Sequence, residues 1–197
     1  MDPFSEIVNT TAKNNVASVL RSSKISKIPT FTFEGHTFRP GHLSHMYHEL
    51  TNSNGKLNVE VDTNQSSSAY YKSATNTLYL KFVGVNTLTR RALVVHETTH
   101  ALFDFKAANM DIATSESIAY IAQCCYARAN STDPDPEVRL TGAGNKDVVF
   151  EVGWRIAGKL LGGGSIDSTD VRDMRDAVAI HPFYSADHST AADFDGM

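Results

Sequence analysis

Three side chains in the stretch Arg91–Phe105 are of the types and spacing that metal chemistry needs: His96, Glu97 and His100, in the pattern His-Glu-x-x-His. On an α-helix, four residues advance about 400° and rise about 6 Å, so the two imidazoles lie almost one above the other. Neutral imidazoles placed this way can converge on one zinc ion, each at about 2.0–2.1 Å. Glu97 lies about 100° further round than His96. Its carboxylate therefore falls beside such an ion rather than on it, where it can take a proton from a water that the ion acidifies.

A helix has to carry this pattern, and the surrounding residues favour one. No Gly or Pro interrupts Leu88–Phe105, and Asn86, Thr87 or Thr89 can cap its start. Leu88, Ala92, Val95, Thr99 and Leu102 fall on one stripe, with Val94, Ala101 and Phe105 on its flanks. A helix apolar around most of its girth is a buried helix. Two histidines and a glutamate on it then need partners. The plainer alternative is a core helix with two incidental histidines, one satisfied by the core and one by solvent.

This segment resembles the active-site helix of the zincin metallopeptidases, a likeness that covers Leu78–Ala129. The metzincin branch continues with a Gly and a third His; Phe103 and Lys106 stand at those positions, so that branch is excluded. The gluzincin branch takes its third ligand from a glutamate on the next helix. Asp111–Ala129 reads as such a helix, apolar at Ile112, Ile118, Ala119, Ile121, Ala122, Cys125 and Tyr126 and capped by Asp111 or Thr114. The resemblance thus implies Glu116 as the third ligand to Zn²⁺; the alternative is a surface glutamate favoured by the helix dipole. It also implies peptide-bond hydrolysis on a peptide or protein substrate, with Glu97 as general base.

Further implications follow from the same likeness. Many gluzincins place an Asp four residues after the ligand glutamate to orient a metal histidine; here that residue is Tyr120, leaving Asp104 and Asp111 as candidates for the role. A His or Tyr from the C-terminal part often steadies the oxyanion in that branch. His181, Tyr184 and His188 are the candidates, against the alternative of a mobile tail. The strand before the active helix edges the substrate cleft in such proteins, and Thr77–Val83 is expected there; an ordinary interior strand is the alternative.

The rest of the chain supplies the scaffold. Pro3–Ser22 has the period of an amphipathic helix. Thr30–Arg39 alternates Phe with polar residues around Glu34-Gly35, the pattern of a short hairpin or bent strand pair. His42–Leu50 carries His42, His45 and His48; a solvated polar helix face is preferred there over a second metal site. Lys56–Thr63, Ala69–Lys72 and Thr77–Phe82 read as strands. An acidic turn at Ser131–Glu137, Gly142 and Gly144, a helix over Lys146–Leu161 and a last helix over Asp167–Ile180 capped by Ser168, Thr169 or Asp170 complete the chain. Gly162-Gly163-Gly164 is a flexible stop, since it lacks the Lys-Ser/Thr ending of a phosphate loop. The expected fold is α+β and, by the resemblance, zincin-like. An N-terminal helix and a small, mostly antiparallel sheet precede a helical half led by the His-Glu-x-x-His helix, in one domain over residues 1–197.

Composition bounds the partners. The 197 residues carry a net charge of −4, which argues against nucleic acid. Cys124 and Cys125 are adjacent, so they form neither a disulfide framework nor a cysteine-rich metal site and read as small buried residues. No run is apolar enough for a membrane span and no signal-peptide pattern opens the chain, so the expectation is a soluble protein, cytoplasmic or secreted without a cleaved N-terminal signal. Two other functions fit these residues: a non-catalytic zinc-binding or regulatory module, and a delivered toxin or effector protease.

Overall fold

A computed structural model describes residues 3–132 and 147–197. The expected acidic turn lies mostly outside the described residues, as do Gly142, Gly144 and Lys146.

Helix α1 (Pro3–Leu20) packs Ala12, Val16, Val19 and Leu20 inward. A hairpin follows, β1 (Phe31–Phe33) with β2 (His36–Phe38), pairing Phe31 with Phe38. Both turn residues have positive φ, Glu34 at 46° and Gly35 at 83°. That is the turn whose twist matches two antiparallel strands. Helix α2 (Leu43–Thr51) buries Leu43, Met46 and Leu50, and these three fall on one face at helical spacing.

The second sheet holds β3 (Asn58–Val61), β4 (Ala69–Lys72) and β5 (Thr77–Leu80) in the order β3-β5-β4. β5 runs parallel to β3 and antiparallel to β4. The strand expected along the cleft, Thr77–Val83, is therefore the central one, with Leu78 and Leu80 fully buried. The cause lies in the β4–β5 hairpin: a tight turn through Ser73–Thr75 and left-handed Asn76 lets β4 fold back on β5. β5 then pairs with β3 through its other edge. The outer edge of β3 is covered by α1, where the Asn9 side chain accepts the Val61 N–H at 2.9 Å. The open edge belongs to β4.

Helix α3 (Leu88–Phe105) has the bounds its sequence predicts. Thr87 caps it, its hydroxyl accepting the Arg90 N–H at 3.2 Å, a bond of a kind that stabilises by about 1 kcal/mol. It ends where Ala107 turns left-handed, at φ 46°, and the Ala108 N–H returns to the Phe103 carbonyl at 3.0 Å. Helix α4 (Ile112–Asn130) is buried along almost its whole length, packed between α3 and α5 (Val148–Leu161). Its small residues Ala119, Ala122, Cys124 and Cys125 permit that closeness. So does Gly153 of α5, where a Cβ would lie 2.9 Å from Cys124 Sγ. Both cysteines are free.

Helix α6 (Ser168–Ile180) is capped by Asp167, one residue earlier than expected, in a reciprocal box with Asp170. Arg175 on α6 pairs with Glu34 of the hairpin turn and Asp111 at the start of α4, both at 2.6 Å. The segment after α6 then returns along α4. The N–H groups of Ile112 and Ala113 reach the carbonyls of Thr190 and His188, and Ala192 donates to Met110, all at 2.9 Å. Through these bonds the segment is docked against the start of α4. The architecture is α+β, with six α-helices and two small sheets among the described residues. No helix of the described residues is long and apolar enough to cross a membrane.

A candidate metal centre

His96 and His100 point the same way from α3, as their spacing demands, and Nε2 of one lies 3.2 Å from Nε2 of the other. The loop after α3 turns the chain back, and α4 crosses with Glu116 facing them. Glu116 Oε2 is 3.3 Å from His96 Nε2, and Oε1 is 3.5 Å from His100 Nε2. Three donors at about 2.0–2.1 Å from one tetrahedral centre stand about 3.3–3.4 Å apart. The observed separations are of that order, the two histidines meeting different oxygens of the one carboxylate. Glu116 Oε2 is otherwise buried without a hydrogen-bond donor, an orphan that a cation would satisfy. Among the described residues this is the one group of three or more His, Cys, Asp or Glu whose ligand atoms converge to hold a metal ion.

The three groups also perturb one another. Burial alone would push the Glu116 carboxyl up, but His100 and His96 beside it hold it well below the usual carboxylate range. Burial disfavours charge on His100 too, yet Glu116 outweighs that and raises it. Glu97 is buried on the same face of α3, and desolvation raises its carboxyl against the opposing pull of His96 and His100. The backbone N–H of Tyr71, on the open edge of β4, lies close enough to Glu97 to favour its charged form.

The groups around the ligands differ from those expected. His100 Nδ1 is held by Ser115 Oγ at 2.9 Å, so Nε2 is left for the cluster. Neither Asp104 nor Asp111 bonds to His96 or His100. Asp104, one turn beyond His100, bonds instead to Tyr71 and the docked segment, and Asp111 is committed to Arg175 and the cap of α4. The ring of Tyr120 packs edge-on against His96 with centroids 4.6 Å apart, so at the position of the expected Asp a shape contact orients the imidazole. His96 Nδ1 has no hydrogen-bond partner among the described residues.

A cleft of about 400 Å³ opens onto the cluster. Its lining comes from β4 and the loop before it, from α3 and α4, and from the docked segment, including Phe183, Tyr184 and Phe194. No Lys or Arg lines it. Of the three oxyanion candidates, Tyr184 is on this lining, its hydroxyl 3.4 Å from that of Tyr120. His181 stands behind it, stacked on its ring at 4.9 Å and bonded through Nε2 to Asp147 at 3.0 Å. His188 is outside the lining, with Nδ1 on the Ser185 carbonyl. His42, His45 and His48 form no second cluster; His42 Nδ1 instead accepts the Lys106 ammonium at 2.9 Å.

Ser115 and Tyr71 were not singled out in the sequence. Ser115 carried one weak signal, a hydroxyl beside the expected ligand. Tyr71 carried none, because its part depends on which strand forms the sheet edge. No protein-family model, curated protein or solved structure matches the chain.

Proposed function

We propose that this protein is a zinc-dependent peptidase whose site resembles that of the gluzincins. The observation that carries the reading is the convergence of His96 Nε2, His100 Nε2 and the Glu116 carboxylate, at 3.2 to 3.5 Å from one another, with Glu97 buried beside them. These three residues would hold the ion. When bound, zinc polarises a substrate carbonyl and brings the pKa of a water towards neutrality. A closed structural site has four protein ligands, whereas three converge here among the described residues, which favours catalysis over a non-catalytic clasp.

The chain's own residues then divide the work. Glu97 accepts the proton of the attacking water and delivers it to the departing amine. Its buried setting suits a group that must both take and release a proton. Tyr184 keeps its hydroxyl proton, since burial and the nearby Glu116 charge push it far up. That hydroxyl can donate to the carbonyl oxygen as negative charge develops there. His181 and Asp147 hold the Tyr184 ring in place. Ser115 fixes the His100 tautomer.

The test is metal analysis of the purified chain, then digestion of a peptide library with and without chelator. One zinc per chain and chelator-sensitive cleavage support the reading. Zinc without cleavage of any peptide would move it to the binding-module alternative.

A further inference from the structure

Asp104 is wholly buried on α3, two turns beyond Glu97 and on the same side of the helix. A carboxylate in that position is costly unless its oxygens are bonded. Its partners come from two places. Oδ2 accepts the Tyr71 hydroxyl at 2.5 Å. Oδ1 accepts the backbone N–H groups of Asp195 and Gly196, at 3.0 and 3.1 Å. Tyr71 belongs to the open edge of β4, and the other two follow Asp193 and Phe194; Tyr71, Asp193 and Phe194 all line the cleft. One buried side chain thus ties two separate lining segments to the helix that bears the metal ligands.

We infer that Asp104 is a positioning residue that sets the width of the substrate cleft, by clasping β4 and the 193–196 segment to one turn of α3. The inference rests on the peptidase reading for its kinetic part. Both oxygens of the group are in use, each accepting from a different lining segment. Tyr71 remains a donor, because burial and Asp104 itself push its hydroxyl far up.

The test compares full-length wild type with Asp104→Ala, which frees both segments, and Tyr71→Phe, which frees only β4. Kinetics use the best-cleaved internally quenched peptide from the library; hydrogen exchange uses the metal-loaded protein without peptide. Asp104→Ala is expected to raise KM about tenfold with kcat within about threefold and zinc content unaltered, as lost uniform binding does. Tyr71→Phe should raise KM about threefold on the same ground. Exchange should quicken at residues 69–72 and 193–196 in Asp104→Ala, and at 69–72 alone in Tyr71→Phe. Unaltered KM in both variants, a fall in kcat at constant KM, or exchange that quickens evenly over the chain would overturn the inference. If Asp104→Ala does not fold, Tyr71→Phe decides. If the wild type cleaves no peptide, the peptidase reading fails while the exchange comparison still judges the clasp.

Discussion

At the scale of single residues, the proposed reading gives Glu97 and Ser115 different roles, and variants separate them. Glu97→Gln keeps the shape and the metal ligands but removes the proton acceptor. It should retain zinc and lose about 10²–10⁴-fold in kcat, checked by metal analysis beside turnover. Full activity in that variant would rule out the mechanism. Ser115→Ala should instead weaken zinc binding by about 10–100-fold, measured by competition with a chromogenic chelator, because His100 is no longer locked in one tautomer. The residues also show what a sequence can disclose. His96, Glu97 and His100 were legible because their relation is set by helix geometry alone. Glu116 was legible through a likeness, then placed by the return of α4. Asp104 could not be assigned from its spacing to His100, since one helical turn along the chain says nothing of which neighbour its side chain will meet.

Elements were read best where local rules decide. The bounds of α3 follow from a capping hydroxyl and an unbroken apolar run, and the hairpin turn follows from Glu34-Gly35. The order of β3, β4 and β5 was not legible, because pairing across a sheet is decided by which edge α1 covers. The end of α3 offers a test at this scale. Ala107 holds φ 46°, a conformation that costs a residue with a Cβ about 1–2 kcal/mol. Glycine has more chain freedom to lose on folding, which offsets part of the gain. Ala107→Gly should raise unfolding stability by about 0.5–1 kcal/mol in urea titrations. A lower midpoint would show that the turn is held for another reason.

For the molecule as a whole, the contact between Arg175, Glu34 and Asp111 joins the hairpin, α4 and α6, three parts distant in sequence. Burial would raise the Asp111 carboxyl, but hydrogen bonds from Arg175 and Thr114 bring it down to about 2 from an ordinary 3.8. A carboxyl depressed by folding adds stability above its unfolded pKa and loses it as pH falls through the folded one. This contribution is therefore complete above about pH 4 and fades towards about pH 2. Asp111→Asn should unfold at lower denaturant than wild type near neutrality, and the gap should narrow over that acid window. A constant gap from pH 6 to 2 would assign the effect to packing instead.

Cys124 and Cys125 lie on the helix that also carries Glu116, both fully buried, and burial pushes the Cys125 thiol up to about 12 and Cys124 well above its ordinary value. Thiolate is the reactive form, so both sulfurs are silent to labelling reagents until α4 is exposed. The pair is a built-in clock for opening of the interior. Its rate, read with zinc present and after chelation, would measure how firmly a bound ion keeps the two central helices shut.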